Sequence, residues 1–192
     1  MSSYTPTGNL IFLGEPTVKI ANAANGVKVS WSAVAGAKGY TVYRSEYNAK
    51  TKKWSGWSNR GTAAATKTSW TDKKVTSGVY YKYTVRAVSG SYRSTYTSSA
   101  KLLYLATPTV TVAKVAAGVS VKWNKTAGAA NYIVYRQEKI DGAWSNWTVL
   151  GTVKTTSYSD KTAQSGKEYR YTVRAVNGNY KSVYTASSTV NR

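Results

Sequence analysis

The sequence predicts an all-β protein made of two tandem antiparallel sandwiches of seven strands each. Three observations carry that expectation. The 192-residue chain repeats itself at an offset of about 92, its apolar residues alternate with a period of two, and turn signals separate short runs of Val, Thr and Tyr. Alternation is what a strand with one dry and one wet face requires, and turns about every 8 to 12 residues suit a sandwich.

The duplication is legible residue by residue. Pro16-Thr17-Val18 returns as Pro108-Thr109-Val110, and Gly26-Val27-Lys28-Val29-Ser30-Trp31 as Gly118-Val119-Ser120-Val121-Lys122-Trp123. Gly39-Tyr40-Thr41-Val42-Tyr43-Arg44 returns as Asn131-Tyr132-Ile133-Val134-Tyr135-Arg136. The longest match, Tyr81 to Val88 against Tyr169 to Val176, stands at an offset of 88. The second copy therefore lacks two residues between the counterparts of Glu46 and Trp54, and two more between those of Gly61 and Trp70. Both gaps are expected in turns, where chains tolerate length changes. The chain divides into a leader at 1–14, expected to be flexible, a first unit at 15–105 and a second at 106–192.

Composition narrows the chemistry. With no Cys and no His, thiol nucleophiles, thiolate or imidazole metal sites and Ser-His triads are excluded. The seven acidic residues are scattered, so no carboxylate pair suggests glycoside hydrolysis. No cofactor is expected and no enzyme activity. A phosphate-cradling Gly-rich loop and a DNA-reading helix are both missing from the pattern, which argues against sequence-specific nucleic-acid binding. No apolar run reaches the roughly 18 residues that span a bilayer, so membrane insertion is not expected. Met1-Ser2-Ser3-Tyr4-Thr5-Pro6 reads as a boundary ahead of a fragment, which would leave a signal or anchor outside it. Lys and Arg number 27, for a net charge of +20. Through Ala106 there are fifteen basic and three acidic residues, or +12, and beyond it twelve and four, or +8. Both copies are basic, so the charge belongs to the repeat. It either attracts polyanions or keeps the sheets soluble.

The strands follow in order. Val27, Val29 and Trp31 face one way and Lys28 and Ser30 the other. Tyr40, Val42 and Arg44 alternate with Thr41 and Tyr43. Tyr81, Tyr83, Val85 and Ala87 alternate with Lys82, Thr84, Arg86 and Val88. Asn25-Gly26, Ser77-Gly78 and Ser89-Gly90-Ser91 mark turns, and Asn177-Gly178-Asn179 is a strong hairpin signal. Leu102-Leu103-Tyr104-Leu105-Ala106-Thr107-Pro108 has no Gly and ends on a Pro. It is expected to pack between the units or continue the last strand of the first, giving a short, stiff junction.

Each copy resembles a fibronectin type III domain of the kind found in tandem in bacterial surface and secreted proteins. The likeness rests on Pro16, Val27-x-Val29-x-Trp31, Tyr40-x-Val42-Tyr43 and Gly78-x-x-Tyr81-x-Tyr83-x-Val85-x-Ala87-Val88, with counterparts in the second copy. The resemblance implies an immunoglobulin-like sandwich and places Tyr81 and Tyr169 at a tyrosine corner, whose hydroxyl ties back to the preceding loop. It implies a secreted or cell-surface setting, flanking domains and a monomeric spacer or adhesion module. Fold alone does not assign a role.

Candidate binding residues lie in two groups. Trp54-Ser55-Gly56-Trp57-Ser58 and Trp144-Ser145-Asn146-Trp147-Thr148 are similar to the WSxWS motif of cytokine receptors. That motif precedes the last strand of its domain, whereas these follow the third, so no receptor function is carried over. Trp57 and Trp147 are expected to cover the sandwich. Trp54 and Trp144 serve either packing or, as exposed indoles, stacking on a sugar or base. The second group is the outward stripe of Tyr43, Lys82 and Arg86, with Tyr135, Arg170 and Arg174. Such a stripe suits a polysaccharide or acidic surface polymer, or else it is a solvated face. Protein recognition through the loops is a further alternative. Asp72 and Asp160 are expected to accept backbone N–H groups in turns, and Glu46 and Glu138 to pair with nearby cations.

Overall fold

The computed structural model describes residues 12–192, and all regular structure among them is β. Residues 1–11 of the expected flexible leader lie outside this range; of the rest, Phe12 is exposed while Leu13 is buried against the first core.

The first unit contains β1 (Val18–Ala23), β2 (Gly26–Trp31), β3 (Gly39–Asn48), β4 (Lys53–Trp54), β5 (Ser58–Ala64), β6 (Ser69–Asp72), β7 (Tyr80–Ser89), β8 (Tyr92–Arg93) and β9 (Leu102–Leu103). The second repeats the series as β10 (Val110–Val115), β11 (Gly118–Trp123), β12 (Asn131–Ile140), β13 (Ala143–Trp144), β14 (Thr148–Val153), β15 (Ser157–Asp160), β16 (Glu168–Asn177), β17 (Tyr180–Lys181) and β18 (Val190–Asn191). In each, a three-stranded sheet, β1-β2-β6 or β10-β11-β15, packs on a larger one. There β3 lies between β5 and β7, and β12 between β14 and β16, with antiparallel pairing throughout. Both units are thus immunoglobulin-like sandwiches of fibronectin type III topology. Seven strands become nine segments because β4 is a short hairpin return from β3 and the last strand is split into β8 and β9. Between those pieces, Ser94 and Ser99 hydroxyls accept the backbone N–H groups of Ala87 and Tyr83, each at 3.0 Å, so side chains replace part of the ladder.

Alternation sorts the side chains as expected. Val27, Val29, Trp31, Tyr40, Val42, Tyr81, Tyr83, Val85 and Ala87 form the first core, and their counterparts form the second. Burying such residues is the main favourable term in folding. Tyr81 Oη accepts the Thr76 N–H at 2.8 Å and Tyr169 Oη that of Gln164 at 3.0 Å, completing both tyrosine corners.

The first length difference falls in a turn, and the second is divided between the end of β5 and the turn after it. In the first unit, four residues join Asn48 to its partner Lys53; in the second, Asp141-Gly142 alone joins Ile140 to Ala143, with φ of 50° and 81°. Two positive φ angles in succession define the tight turn that matches strand twist. Farther on, β5 bulges at Arg60 and β14 at Leu150, where the register slips between Val42/Tyr43 and Val134/Tyr135. The next residue, Gly61 or Gly151, lies beneath an aromatic ring. A Cβ at Gly61 would sit 3.1 Å from the Trp70 ring, and one at Gly151 3.4 Å from Tyr158. Gly61→Ala is therefore expected to cost about 1–3 kcal/mol by overpacking and Gly151→Ala less, measurable by denaturant titration.

The connection between the units extends the alternation across the boundary. Leu102 and Tyr104 pack into the first core, Leu103 and Leu105 into the second, and Leu105 is 0% exposed. Tyr104 is held from both sides, its N–H on Val79 O at 3.1 Å and its carbonyl accepting Gly78 N–H at 2.8 Å. Gly78 also meets Gly128 of the second unit backbone to backbone: a Cβ on Gly128 would lie 2.4 Å from Gly78 Cα. Both glycines have positive φ, 86° and 83°. Ser77 Oγ donates to Ala127 O at 2.8 Å, Asn22 Nδ2 donates to Lys181 O at 3.0 Å, and the Tyr80 and Tyr180 rings meet edge-on at 5.6 Å.

Candidate functional site

The eight candidate residues gather on one face of each unit, the outer face of the larger sheet. Facing pairs along β3 and β7 bring Tyr43 opposite Thr84, between Lys82 and Arg86; β12 and β16 place Tyr135 between Arg170 and Arg174 in the same way. All eight side chains, including both Trp pairs, are half-buried.

The indoles are seated among cations. Lys82 Nζ stands 4.6 Å from the Trp54 ring centre, and Tyr47 packs on the other part of that indole at 5.4 Å. In the second unit, the Arg170 guanidinium lies between two indoles, 4.4 Å from Trp144 and 5.7 Å from Trp147. Trp57 and Trp147 meet Tyr96 and Tyr184 edge-on at 6.1 and 5.8 Å. Arg86 and Arg174 cover those same tyrosines at 5.6 and 5.7 Å. Their Nε atoms donate to Ser94 O and Ser182 O at 2.7 and 2.9 Å, which fixes the guanidinium planes. Arg170 Nε is fixed likewise on Gln137 Oε1 at 2.6 Å. The result in the second unit is a continuous row of rings and cations, and in the first two shorter groups, Lys82 with Trp54 and Tyr47 and Arg86 with Tyr96 and Trp57, each cation contact worth about 0.5–1 kcal/mol where exposed. Duplicated Trp spacing pointed to the rings. Their partners Lys82, Gln137 and Arg170 are identified only by register, because β4 and β13 fold the indoles back across the sheet.

Along the first unit the Trp54 group continues toward the junction. Tyr47 meets Tyr80 edge-on at 6.4 Å, and Tyr80 meets Tyr180 of the second unit. Lys101 Nζ stands 5.4 Å from the Tyr80 ring, closing a recess of about 290 Å³ lined by Tyr47, Trp54, Tyr80 and Lys101. The second unit diverges here: Lys139 and Glu168 replace Tyr47 and Tyr80 and form an ion pair at 2.7 Å.

A second cluster lies inside each sandwich. Asp72 is 1% exposed and its Oδ2 receives Arg44 Nη1 at 2.8 Å and Tyr83 Oη at 3.0 Å, while Arg60 Nε approaches to 3.6 Å. Asp160, 2% exposed, receives Arg136 Nη1 at 2.9 Å and Tyr171 Oη at 2.8 Å. Each Asp also accepts the expected turn N–H, from Lys74 or Thr162, at 2.9 Å. Glu46 and Glu138 pair with Arg44 at 3.3 Å and Lys167 at 2.5 Å, as expected. Sequence reasoning missed the ion pairs, although Arg44 stands in phase with Tyr40 and Val42 and so points inward. Burial, then the Asp carboxylate, pushes the Tyr83 and Tyr171 hydroxyls far above the ordinary phenol range. For Asp160, burial acts upward but hydrogen bonds from Thr162, Tyr171 and Arg136 outweigh it and hold the carboxyl below its ordinary value.

That depression sets a sign. Folded Asp160 binds its proton less tightly than unfolded Asp160, so its contribution is complete above the ordinary carboxylate range, near pH 3.9, and fades as pH falls through the lowered folded value. The second unit is expected to lose stability steeply below about pH 4, and Asp160→Asn to flatten that limb. Urea midpoints measured from pH 6 to pH 2 test it.

Comparison with known proteins gives one relative and a set of folds. A stretch of 179 residues is 31% identical to part of Exoglucanase B of Cellulomonas fimi, covering 81% of this chain and 14% of the relative. The chain thus spans about one seventh of that protein's length. Similar solved structures include a two-domain fibronectin type III segment of chicken tenascin (16% identity, 93% of this chain and 99% of that one, TM-score 0.45). Others are the FN1–FN3 domains of chicken CNTN1 (15%, 92% and 66%, 0.42) and the chicken interferon gamma receptor alpha chain (12%, 92% and 97%, 0.47). No family model matches the chain.

Proposed function

We propose that this tandem is a non-catalytic spacer of a larger secreted or cell-surface bacterial protein, holding what flanks it at a set separation and angle. The observation that carries the reading is the connection itself. Successive side chains of Leu102–Leu105 pack against alternate cores, the last three of them buried, and two glycines bring the backbones into contact, so no slack residue remains between the units. A linker without slack behaves as a rigid element, whereas Gly- and Ser-rich linkers act as coils. Similarity to a short part of a protein named as an exoglucanase supports a setting in which a module of this kind accompanies an enzyme domain. Small-angle scattering tests the reading: a single arrangement of the two units should fit the profile. Gly128→Ala, which forces the backbones apart, should need an ensemble. A wild-type profile that itself demands an ensemble removes the spacer role.

A second reading, adhesion to a polysaccharide or acidic surface polymer, is favoured by the ring-and-cation groups that both units carry on the same face. Retention on an anionic glycan that weakens in Trp54→Ala and Trp144→Ala supports it. Retention that ignores those changes and vanishes with salt reports the +20 charge alone.

A further inference from the structure

We infer that the recess beside the junction is a binding site for one acidic sugar ring of a polysaccharide, held among Tyr47, Trp54, Tyr80 and Lys101. The inference rests on the adhesion reading and narrows it, from a face that both units carry to a single site on the first.

Two neighbouring recesses meet here. The smaller, about 290 Å³, has three aromatic rings and the Lys101 ammonium as its walls. The larger, about 450 Å³, shares Tyr47 and Trp54 with it and adds the polar groups of Glu46, Asn48, Thr51 and Ser55. Rings offer flat apolar walls to the C–H face of a sugar, and the polar rim can hold the hydroxyls that project from it. The walls are set before a ligand arrives. Tyr47 is the cross-strand partner of Trp54 and meets its ring at 5.4 Å, and Tyr80 is held between Tyr47 at 6.4 Å and Tyr180 at 5.6 Å. Tyr180 Oη also donates to Lys101 O at 3.3 Å, so the second unit fixes the backbone that carries the ammonium. Fixed walls spare part of the ordering cost of binding.

Charge decides the kind of ring. Lys82 lies over Trp54 at 4.6 Å, Lys101 over Tyr80 at 5.4 Å, and Lys53 lines the larger recess. None of the three forms an ion pair among the described residues, and residues 1–11 contain no Asp or Glu. Extending the β7–β9 pairing by one residue from Tyr81 and Leu102 sets Lys82 opposite Lys101, an unfavourable arrangement unless an anion lies between them. The second unit neutralises the same region itself, pairing Lys139 with Glu168 at 2.7 Å and Lys167 with Glu138 at 2.5 Å. A carboxylate on the bound ring supplies the anion that the first unit lacks. Glu46 in the larger recess repels a chain charged at every step, such as a phosphate backbone, and accepts from hydroxyl donors. The occupant is therefore an acidic ring beside a neutral, hydroxyl-bearing one.

The site belongs to the first unit alone. Lys139 and Glu168 are the counterparts of Tyr47 and Tyr80, and Asp141-Gly142 replaces the longer turn that supplies Thr51. The second sandwich closes without these rings, so the fold does not require them. The recess also lies at the opposite end of its unit from Leu13, which sits beside Gly36 ahead of β3; Tyr47 is near the other end of that strand, roughly 25 Å away.

Calorimetric titration of the full chain tests the site, with a hyaluronan hexasaccharide, in which acidic and neutral rings alternate, beside neutral chitohexaose and polyphosphate. Expected is binding of the hyaluronan probe that weakens about tenfold or more in Tyr47→Ala and in Lys101→Glu, and is weaker by a similar factor for chitohexaose. Lys101 is exposed, so Lys101→Glu should keep the wild-type urea midpoint and reads the site even where Tyr47→Ala disturbs the hairpin. Trp144→Ala should leave this binding unchanged. Binding that falls in Trp144→Ala but ignores Tyr47→Ala and Lys101→Glu overturns the inference and leaves adhesion standing. Equal binding of chitohexaose overturns it, as does tighter binding of polyphosphate that salt abolishes and Tyr47→Ala does not alter. No binding of the hyaluronan probe also overturns it; if retention on an anionic glycan is absent too, the adhesion reading falls with it.

Discussion

Asp72→Ala is expected to destabilise the first unit by about 3–5 kcal/mol, the cost of leaving a buried charge without its partner. Arg44 has 7% of its side chain exposed and Asp72 2%, so neither ion recovers water when the other is removed. The substitution strands more than one group. Arg44 loses its main carboxylate, Tyr83 Oη its acceptor, Lys74 N–H its turn partner and Arg60 the nearest anion. Against a typical domain stability of about 5–15 kcal/mol, such a loss approaches unfolding. Asp160→Ala should cost less, because Arg136 is 18% exposed and Leu150 replaces Arg60, leaving fewer stranded cations. Glu46→Ala removes the outer, 47% exposed partner of Arg44 and should cost less than about 1 kcal/mol. Urea titrations of the three variants test the order Asp72, Asp160, Glu46. Equal losses at Asp72 and Glu46 would mean that the interior pair contributes nothing special.

Neighbouring substitutions in the connection are expected to strike different units. Tyr104 is buried in the first core and Leu105 in the second, one peptide bond apart. Leu105→Ala should cost the second unit about 2–5 kcal/mol, the range for a fully buried leucine whose cavity collapses only in part. Tyr104→Ala should cost the first unit about 3–5 kcal/mol, as for other large aromatic truncations. Amide hydrogen exchange resolves the two, through protection of β7 in one variant and of β16 in the other. A connection that merely tethered the units would give losses confined to one side for both.

Much of this architecture was readable in the chain, and the reason is periodicity. Val27, Val29 and Trp31 are buried because alternation on a pleated strand leaves no other choice, and Tyr81, buried in the same core, reaches the preceding loop with its hydroxyl on the Thr76 N–H. Deletions showed where turns lie: the first falls in the turn after β3, and the second takes one residue from the end of β5 and one from the turn that follows. What escaped is what depends on partners distant in sequence. Arg44 and Asp72 stand 28 residues apart, on facing sheets, and nothing local marks either as half of an interior pair. The Trp pairs illustrate the same limit. Their spacing drew notice, but the short return strands β4 and β13 decide that Lys82 and Arg170 rest on them, and a two-residue strand leaves almost no pattern. The connection was anticipated as stiff and apolar. That its residues divide between two interiors follows only from seeing both sandwiches close around one strand.

The basic charge takes a different meaning beside these contacts. Arg44, Arg86, Arg136, Arg170 and Arg174 are each committed to a carboxylate, a ring or a carbonyl. A share of the +20 is therefore structural, and the freely solvated remainder is mostly lysine.

Because the chain has no native cysteine, two introduced thiols can be labelled without interference. Lys28→Cys and Lys122→Cys place spin labels on exposed positions of β2 and β11, one in each unit. If one shared strand locks both sandwiches together, pulsed electron–electron resonance should return a single narrow distance, insensitive to salt and broadened by Gly128→Ala. A broad distribution in the unaltered background would show two bodies swinging about a hinge and would contradict the account at its root.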